Sequence, residues 1–284
     1  MVLGVRIITV AGLLLAAVLP ASAGTAQSAW TEGHNSRVRL VAATLKAADG
    51  RETLTAGIEI GLDNGWKTYW RNPGDNGGVP PEFDFKKSVN AGSPKVMFPA
   101  PSRLADPLGD SIGYKHGVLF PVALTPADPA KPVILTVTAT YGVCAKVCIP
   151  EEHELTLTID PAAPLDEALA GLVSKALARI PSAHSGNKAA PQLAGVKLDT
   201  AGGKPSVIID TLFPSGASDT QVFAEALDSS YVPQPDRMAD SGDGHQRFRI
   251  DCTKSDDFKQ PSGKQLRLTL VGAESATEAT ITIP

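Results

Sequence analysis

Cysteine is scarce in this 284-residue chain: there are three, and two of them, Cys144 and Cys148, stand with only three residues between them. So few exclude a small disulfide-dense scaffold. The three methionines and five histidines are scattered, which leaves no convincing set of metal ligands beyond the cysteine pair itself. No Ser-His-Asp or paired-carboxylate arrangement stands out. The glycine-rich loop Gly74 to Gly78 lacks the Lys-Ser/Thr of a phosphate cradle. An excess of positive charge is missing too: 26 Lys and Arg against 30 Asp and Glu give a formal net charge of −4, and no basic block suggests a nucleic-acid or membrane-surface footprint. After the N-terminal run, no segment is apolar enough to span a bilayer.

That run has the form of a secretory signal. Arg6 supplies the positive start, Ile7 to Leu19 is apolar, and Pro20 and Ala21-Ser22-Ala23 offer an A-x-A cleavage site. The expectation is residues 1–23 as signal peptide and a mature protein from Gly24 in an oxidising compartment, the bacterial periplasm fitting best. The remaining length suggests two domains. Few aromatics with 26 Gly and 23 Pro suit many short strands joined by turns.

Strand signals fall at 37–45, 54–60, 118–124, 133–141 and 155–159, separated by turn clusters such as Asn72 to Gly78 and Thr125 to Pro129. This is the pattern of an antiparallel sandwich. A helical period then interrupts: Leu165, Ala168, Leu169, Leu172, Val173, Ala176, Leu177 and Ile180 share one face, with Asp166 and Glu167 early, Lys175 and Arg179 late, and Pro181 at the end. The apolar face places this helix between two domains. Strand signals resume at 196–198, 207–209, 222–227, 247–250, 266–271 and 279–283. The expected architecture is all-β: two immunoglobulin-like β-sandwiches joined by a short amphipathic helix, with domains at 24–162 and 190–284 and helix plus linker at 163–189.

The pair lies in Tyr141-Gly-Val-Cys-Ala-Lys-Val-Cys-Ile-Pro150. Along one continuous strand, residues four apart stand about 13 Å apart, whereas a disulfide holds Cα atoms within about 4.4–6.8 Å. The two can bond only if Ala145 to Val147 turn, and the flanking strand signals make a hairpin natural. Closing so short a loop is worth only about 2 kcal/mol, which tilts the pair toward a switchable bond, with a structural staple and a metal pair left open. Lys146, inside the loop, is either an ordinary solvated lysine or a charge that favours a thiolate. Cys252 is expected to be a buried, unpaired thiol. Trp66, Tyr69 and Trp70 are expected to be core and cover, with a partner-binding face as the other reading.

Four segments together carry a resemblance: Gly65-Trp-Lys-Thr-Tyr-Trp-Arg-Asn-Pro-Gly-Asp-Asn-Gly-Gly-Val-Pro-Pro81, Phe98-Pro-Ala-Pro101, Gly113-Tyr114, and Tyr141 through Glu151. Over roughly residues 35–160 the chain resembles the N-terminal periplasmic domain of the thiol:disulfide interchange protein DsbD, and looks closer still to the ScsB-like, copper-tolerance branch. That resemblance implies an immunoglobulin-like fold and Cys144 and Cys148 as the catalytic redox pair, with Cys148 the cysteine that attacks first. It implies a capping loop at about Asp106 to Tyr114, with Leu108 and Tyr114 as shields and Tyr141 and Lys146 in the surround. It also implies a membrane-embedded thiol electron donor and periplasmic client proteins as partners. No cofactor and no resident metal are called for, nor nucleic acid or insertion into a membrane. The cysteine spacing is shorter than in DsbD itself, and the chain lacks a membrane electron-conducting segment and a thioredoxin domain, so a separate donor is required. The alternatives are a non-redox periplasmic adaptor with a structural disulfide and a copper-tolerance protein binding Cu(I).

Overall fold

Period-two alternation with β-branched residues dominates the chain, and each such run forms a strand. The structure, a computed structural model, describes residues 26–46, 50, 52–105, 109–162, 166–216, 218–238 and 244–284; the expected signal peptide lies outside them. The first eleven strands are β1 (Thr31–Glu32), β2 (Ser36–Lys46), β3 (Glu52–Leu62), β4 (Lys67–Tyr69), β5 (Glu82–Asp84), β6 (Lys95–Val96), β7 (Ser102–Leu104), β8 (Ser111–Lys115), β9 (Gly117–Ala123), β10 (Val133–Cys144) and β11 (Cys148–Ile159). The helix α1 (Glu167–Leu177) follows. Then come β12 (Ser182–Ala183), β13 (Gln192–Asp199), β14 (Ser206–Leu212), β15 (Gln221–Ala226), β16 (Asp236–Arg237), β17 (His245–Asp251), β18 (Gln265–Val271) and β19 (Ala276–Thr282).

The first sandwich faces a sheet of order β1-β2-β3-β9-β6 with one of order β11-β10-β4-β8-β7, in which β5 also pairs with β10. Inward residues alternate with outward ones along each strand. Val38, Leu40, Ile58 and Phe120 of one sheet meet Leu135, Val137, Tyr141 and Leu157 of the other. The second sandwich stacks β12-β19-β18-β15 on β13-β14-β17-β16. Its core is built from Val207, Ile209, Phe248, Ile250, Leu266 and Leu268. The fold is therefore all-β with a connecting helix, as the strand spacing indicates.

Two features differ from the sequence expectation. The helix does not sit between the sandwiches; it packs Leu169, Val173 and Ala176 on Val41, Ala43 and Leu119, on the outer face of the first sheet. Strand β2 is apolar on both faces there, and Gly57 leaves room, since a Cβ at that position would come within 2.7 Å of Leu119 Cδ2. Asp166 caps the helix, its Oδ1 accepting from the backbone N–H of Ala168 at 2.9 Å and Leu169 at 3.1 Å. The second difference is a set of short strands, among them β4 and β8, too brief for periodicity to reveal. Strand β8 occupies the end of the segment expected to be a capping loop.

Candidate redox site

The long hairpin β10–β11 carries the cysteines at its tip, where Cys144 and Cys148 are direct cross-strand partners. Ala145 to Val147 make the turn, closed by the Ala145 N–H donating to the Val147 carbonyl at 3.0 Å. The disulfide is formed, with Cα atoms 4.1 Å apart. Its two halves are in unlike surroundings. Cys144 is fully buried, while Cys148 is exposed at the rim beside Val147, itself 61 % exposed. Lys146 is exposed at the tip.

The buried side is supplied by β4. Its antiparallel register on β10 sets Lys67 opposite Cys144 and Thr68 opposite Val143. Period-two geometry then puts Lys67 and Tyr69 on the face that carries Cys144, while Thr68 turns away and its hydroxyl donates to the Gly142 carbonyl at 2.8 Å. Lys67 is buried, with Nζ 3.0 Å from Ser111 Oγ. Tyr69 is buried as well, and its Oη stands 3.1 Å from Cys148 Sγ. A disulfide sulfur has no proton, so the phenol donates. Gly78 permits this arrangement: it has φ +149°, and a Cβ there would lie 2.4 Å from the Tyr69 ring.

The other expected surround residues lie elsewhere. Tyr114 is buried in the core, its ring edge-on to Phe120 at 5.6 Å and its hydroxyl donating to the Pro99 carbonyl at 2.8 Å. Burial pushes its phenol well above the usual tyrosine range. Tyr141 is also buried; being three residues from Cys144, it points to the opposite face of β10, its hydroxyl 3.4 Å from Ser36 Oγ. Burial pushes its pKa up to about 12. Leu108 lies outside the described residues. His153 is half-buried midway along the hairpin, opposite Ala139, its Nε2 2.9 Å from Glu151 Oε2, and Glu151 Oε1 accepts from the His34 backbone N–H at 3.1 Å. Cys252 is free and buried in the second core, and burial raises its thiol pKa, with Asp251 adding to the shift.

The residues missed as site members are Lys67 and the hydroxyl of Tyr69. A lysine inside the aromatic run Trp66 to Trp70 was the available signal, because alternation places it with Tyr69 and apart from Thr68 and Trp70.

The second sandwich reaches the same neighbourhood. The Arg71 guanidinium makes a bidentate pair with Glu225 (Nη2–Oε2 2.7 Å, Nε–Oε1 3.0 Å) and a further pair with Glu278. It also stacks over the Trp70 ring at 4.2 Å. Burial alone would lower the Arg71 pKa; the two carboxylates outweigh it and raise it. Phe223 of β15 enters the first core, its ring centroid 5.9 Å from that of Trp70.

Tandem immunoglobulin-like sandwiches with a half-buried disulfide at a hairpin tip define the class. Residues 38–160 match the family model described as thiol:disulfide interchange protein DsbD, N-terminal. The chain is also similar to the crystal structure of the N-terminal periplasmic domain of ScsB from Proteus mirabilis, with 23 % sequence identity, TM-score 0.68, and 91 % of this chain and 98 % of that chain covered. The resemblance carried by the Gly65–Pro81 and Tyr141–Glu151 motifs thus holds for the first sandwich, and the likeness in fold extends through the second. The comparison with curated proteins gave no match. No helix among the described residues is long and apolar enough to cross a membrane. Nor is any group of three or more His, Cys, Asp or Glu among them placed to hold a metal ion.

Proposed function

We propose that this chain is a periplasmic thiol–disulfide exchange module that takes two electrons from a separate, membrane-embedded thiol donor and passes them to periplasmic client proteins through Cys144 and Cys148. The observation that carries this reading is the asymmetry of the pair: one cysteine exposed at a hairpin tip with its sulfur beside a phenol donor, the other buried opposite a lysine. A structural staple has no use for an accessible sulfur, and the loop it closes is too short to stabilise much. The separate cores of the two sandwiches support a division into a redox domain over 24–162 and a second domain over 190–284.

The exchange runs through the exposed sulfur. A donor thiolate attacks Cys148 Sγ; a donor–Cys148 bond forms as the Cys144–Cys148 bond breaks, and Cys144 leaves as a thiolate. Lys67, its cross-strand neighbour, supplies positive charge on that face. The donor's second thiolate then attacks its own mixed-disulfide sulfur. The donor leaves oxidised, and Cys144 and Cys148 take up the two protons its thiols release. The same steps in reverse, with Cys148 as nucleophile, reduce a client disulfide.

Equilibration of the mature protein with glutathione, followed by thiol alkylation and mass spectrometry, tests this. A reduction potential between about −180 and −270 mV is expected; a value below about −300 mV marks a staple and overturns the reading. Cys148→Ala is expected to abolish exchange with a thioredoxin-fold dithiol protein while lowering stability by no more than about 2 kcal/mol. Stoichiometric Cu(I) binding by the reduced protein, lost in Cys144→Ala and unaccompanied by exchange, would favour the copper reading instead.

A further inference from the structure

The segment from Trp70 to Val79 leaves β4 immediately after Tyr69 and is held on two sides. On the inner side Gly78 lies against the Tyr69 ring, and the Val79 carbonyl accepts from the Gly142 N–H at 3.2 Å, two residues before Cys144. Backbone hydrogen bonds also tie it to β8, the Trp70 N–H donating to the Ile112 carbonyl at 3.0 Å and the Ile112 N–H to the Pro73 carbonyl at 2.8 Å, while on the other side its side-chain anchors reach the second sandwich. Arg71 is gripped by Glu225 and Glu278, and the Asn72 side-chain amide donates to the Ala224 carbonyl at 3.3 Å. Asp75 Oδ1 accepts from the Tyr231 hydroxyl at 2.9 Å and the Gln234 N–H at 3.1 Å. One loop therefore connects the second sandwich to the phenol that faces Cys148.

We propose that the second sandwich is a positioning domain for the redox pair: through Arg71 and Asp75 it fixes the loop that holds the Tyr69 hydroxyl on Cys148 Sγ. This deepens the exchange reading and rests on it. In the reduced protein the same hydroxyl donates to the Cys148 thiolate, a hydrogen bond to the charged form that lowers the thiol pKa. Loosening the loop moves the donor, raises that pKa and shrinks the thiolate fraction at neutral pH. Stabilising the thiolate also stabilises the reduced pair, so its loss shifts the equilibrium toward the disulfide. Arg71 and Asp75 are positioning residues and touch no sulfur; they hold the loop at two points, so loss of either loosens it.

The test uses the full mature chain. The rate of Cys148 alkylation by iodoacetamide is followed from pH 6 to 10 in the reduced protein, alongside the glutathione equilibrium. The variants are Glu225→Gln with Glu278→Gln, Asp75→Ala, and Tyr69→Phe as the benchmark for loss of the hydroxyl. Gln221→Ala serves as a control: its side chain accepts from the Arg103 N–H at 2.7 Å, at the same boundary but away from this loop. Arg71→Lys, which keeps the charge and loses the bidentate fork, guards against a variant that fails to fold.

The two anchor changes and Tyr69→Phe are each expected to slow alkylation about three- to tenfold at pH 7. All should meet or exceed the wild-type rate near pH 10, where the thiol is ionised and a more basic thiolate is the better nucleophile. The exchange equilibrium should move by the same factor, tenfold corresponding to about 30 mV for a two-electron couple. Combining an anchor change with Tyr69→Phe should add nothing. Anchor variants that match wild type while Tyr69→Phe slows the reaction overturn the proposal, and faster alkylation at every pH would make the loop a shield instead. An equal effect from Gln221→Ala would also overturn it, assigning the effect to the boundary as a whole. A wild-type pair below about −300 mV is a different failure, that of the exchange reading itself.

Discussion

At the scale of the residue, the site is a contrast between two sulfurs of one bond. Cys144 sits in the sheet at full burial, and Cys148 meets solvent and a tyrosine hydroxyl. The chemistry follows from that contrast: the attacked sulfur must be reachable and the departing one stabilised. Tyr141, three residues along the same strand, has a structural role. Burial first, and Glu151 in addition, push its pKa up to about 12, with the Ser36 hydrogen bond acting the other way. An unfolded tyrosine titrates near 10, so the folded state holds this proton more tightly. The resulting stability is full below about pH 10 and is lost as pH rises toward 12. Urea unfolding at pH 9 and pH 11.5 checks this: Tyr141→Phe should lose about 2 kcal/mol less than wild type over that interval. An equal loss in both would remove Tyr141 from the account.

At the scale of the element, hairpin and helix were legible because their signals are local. Turn residues between β-branched runs, a proline past the second cysteine and a carboxylate ahead of an apolar helical face each act within a few residues. Asp166 is the clearest example, two backbone hydrogen bonds from one carboxylate oxygen. Asp166→Ala should lower stability by about 1 kcal/mol, read as a fall in thermal midpoint with the reduction potential unchanged. A shifted potential would mean that α1 communicates with the far end of the sandwich. Strands β4 and β8 were not legible, since three to five residues cannot display a period. Lys67 and Tyr69 owe their position beside the cysteines to β4 pairing with β10 across more than seventy residues of chain.

At the scale of the whole molecule, the two sandwiches have separate cores and a shared boundary. Phe223 penetrates the first core, and Arg71 is enclosed by two carboxylates and a tryptophan ring. Breaking such a largely buried pair costs about 3 kcal/mol or more, because the surviving charge is left without its partners. Calorimetry of the wild-type chain is expected to show one cooperative transition. Glu225→Gln with Glu278→Gln should split it in two, and a single transition persisting in that variant would show that Phe223 alone couples the halves.

The amino-acid sequence by itself determined the class of fold, the existence of the cysteine hairpin, the helix and the resemblance of the first sandwich to the DsbD N-terminal domain. Each depends on periodicity, turn chemistry or a contiguous motif, and these act over short separations. The tertiary structure alone decided which cysteine is exposed, which tyrosine faces it and where the helix docks. It also decided that residues near 225, 231 and 278 anchor the loop beside residue 75. These depend on register between distant strands and on burial, which the whole packed chain sets: Tyr114 and Tyr141 are as aromatic as Tyr69, but only Tyr69 lies on the cysteine face with a glycine leaving room for its ring.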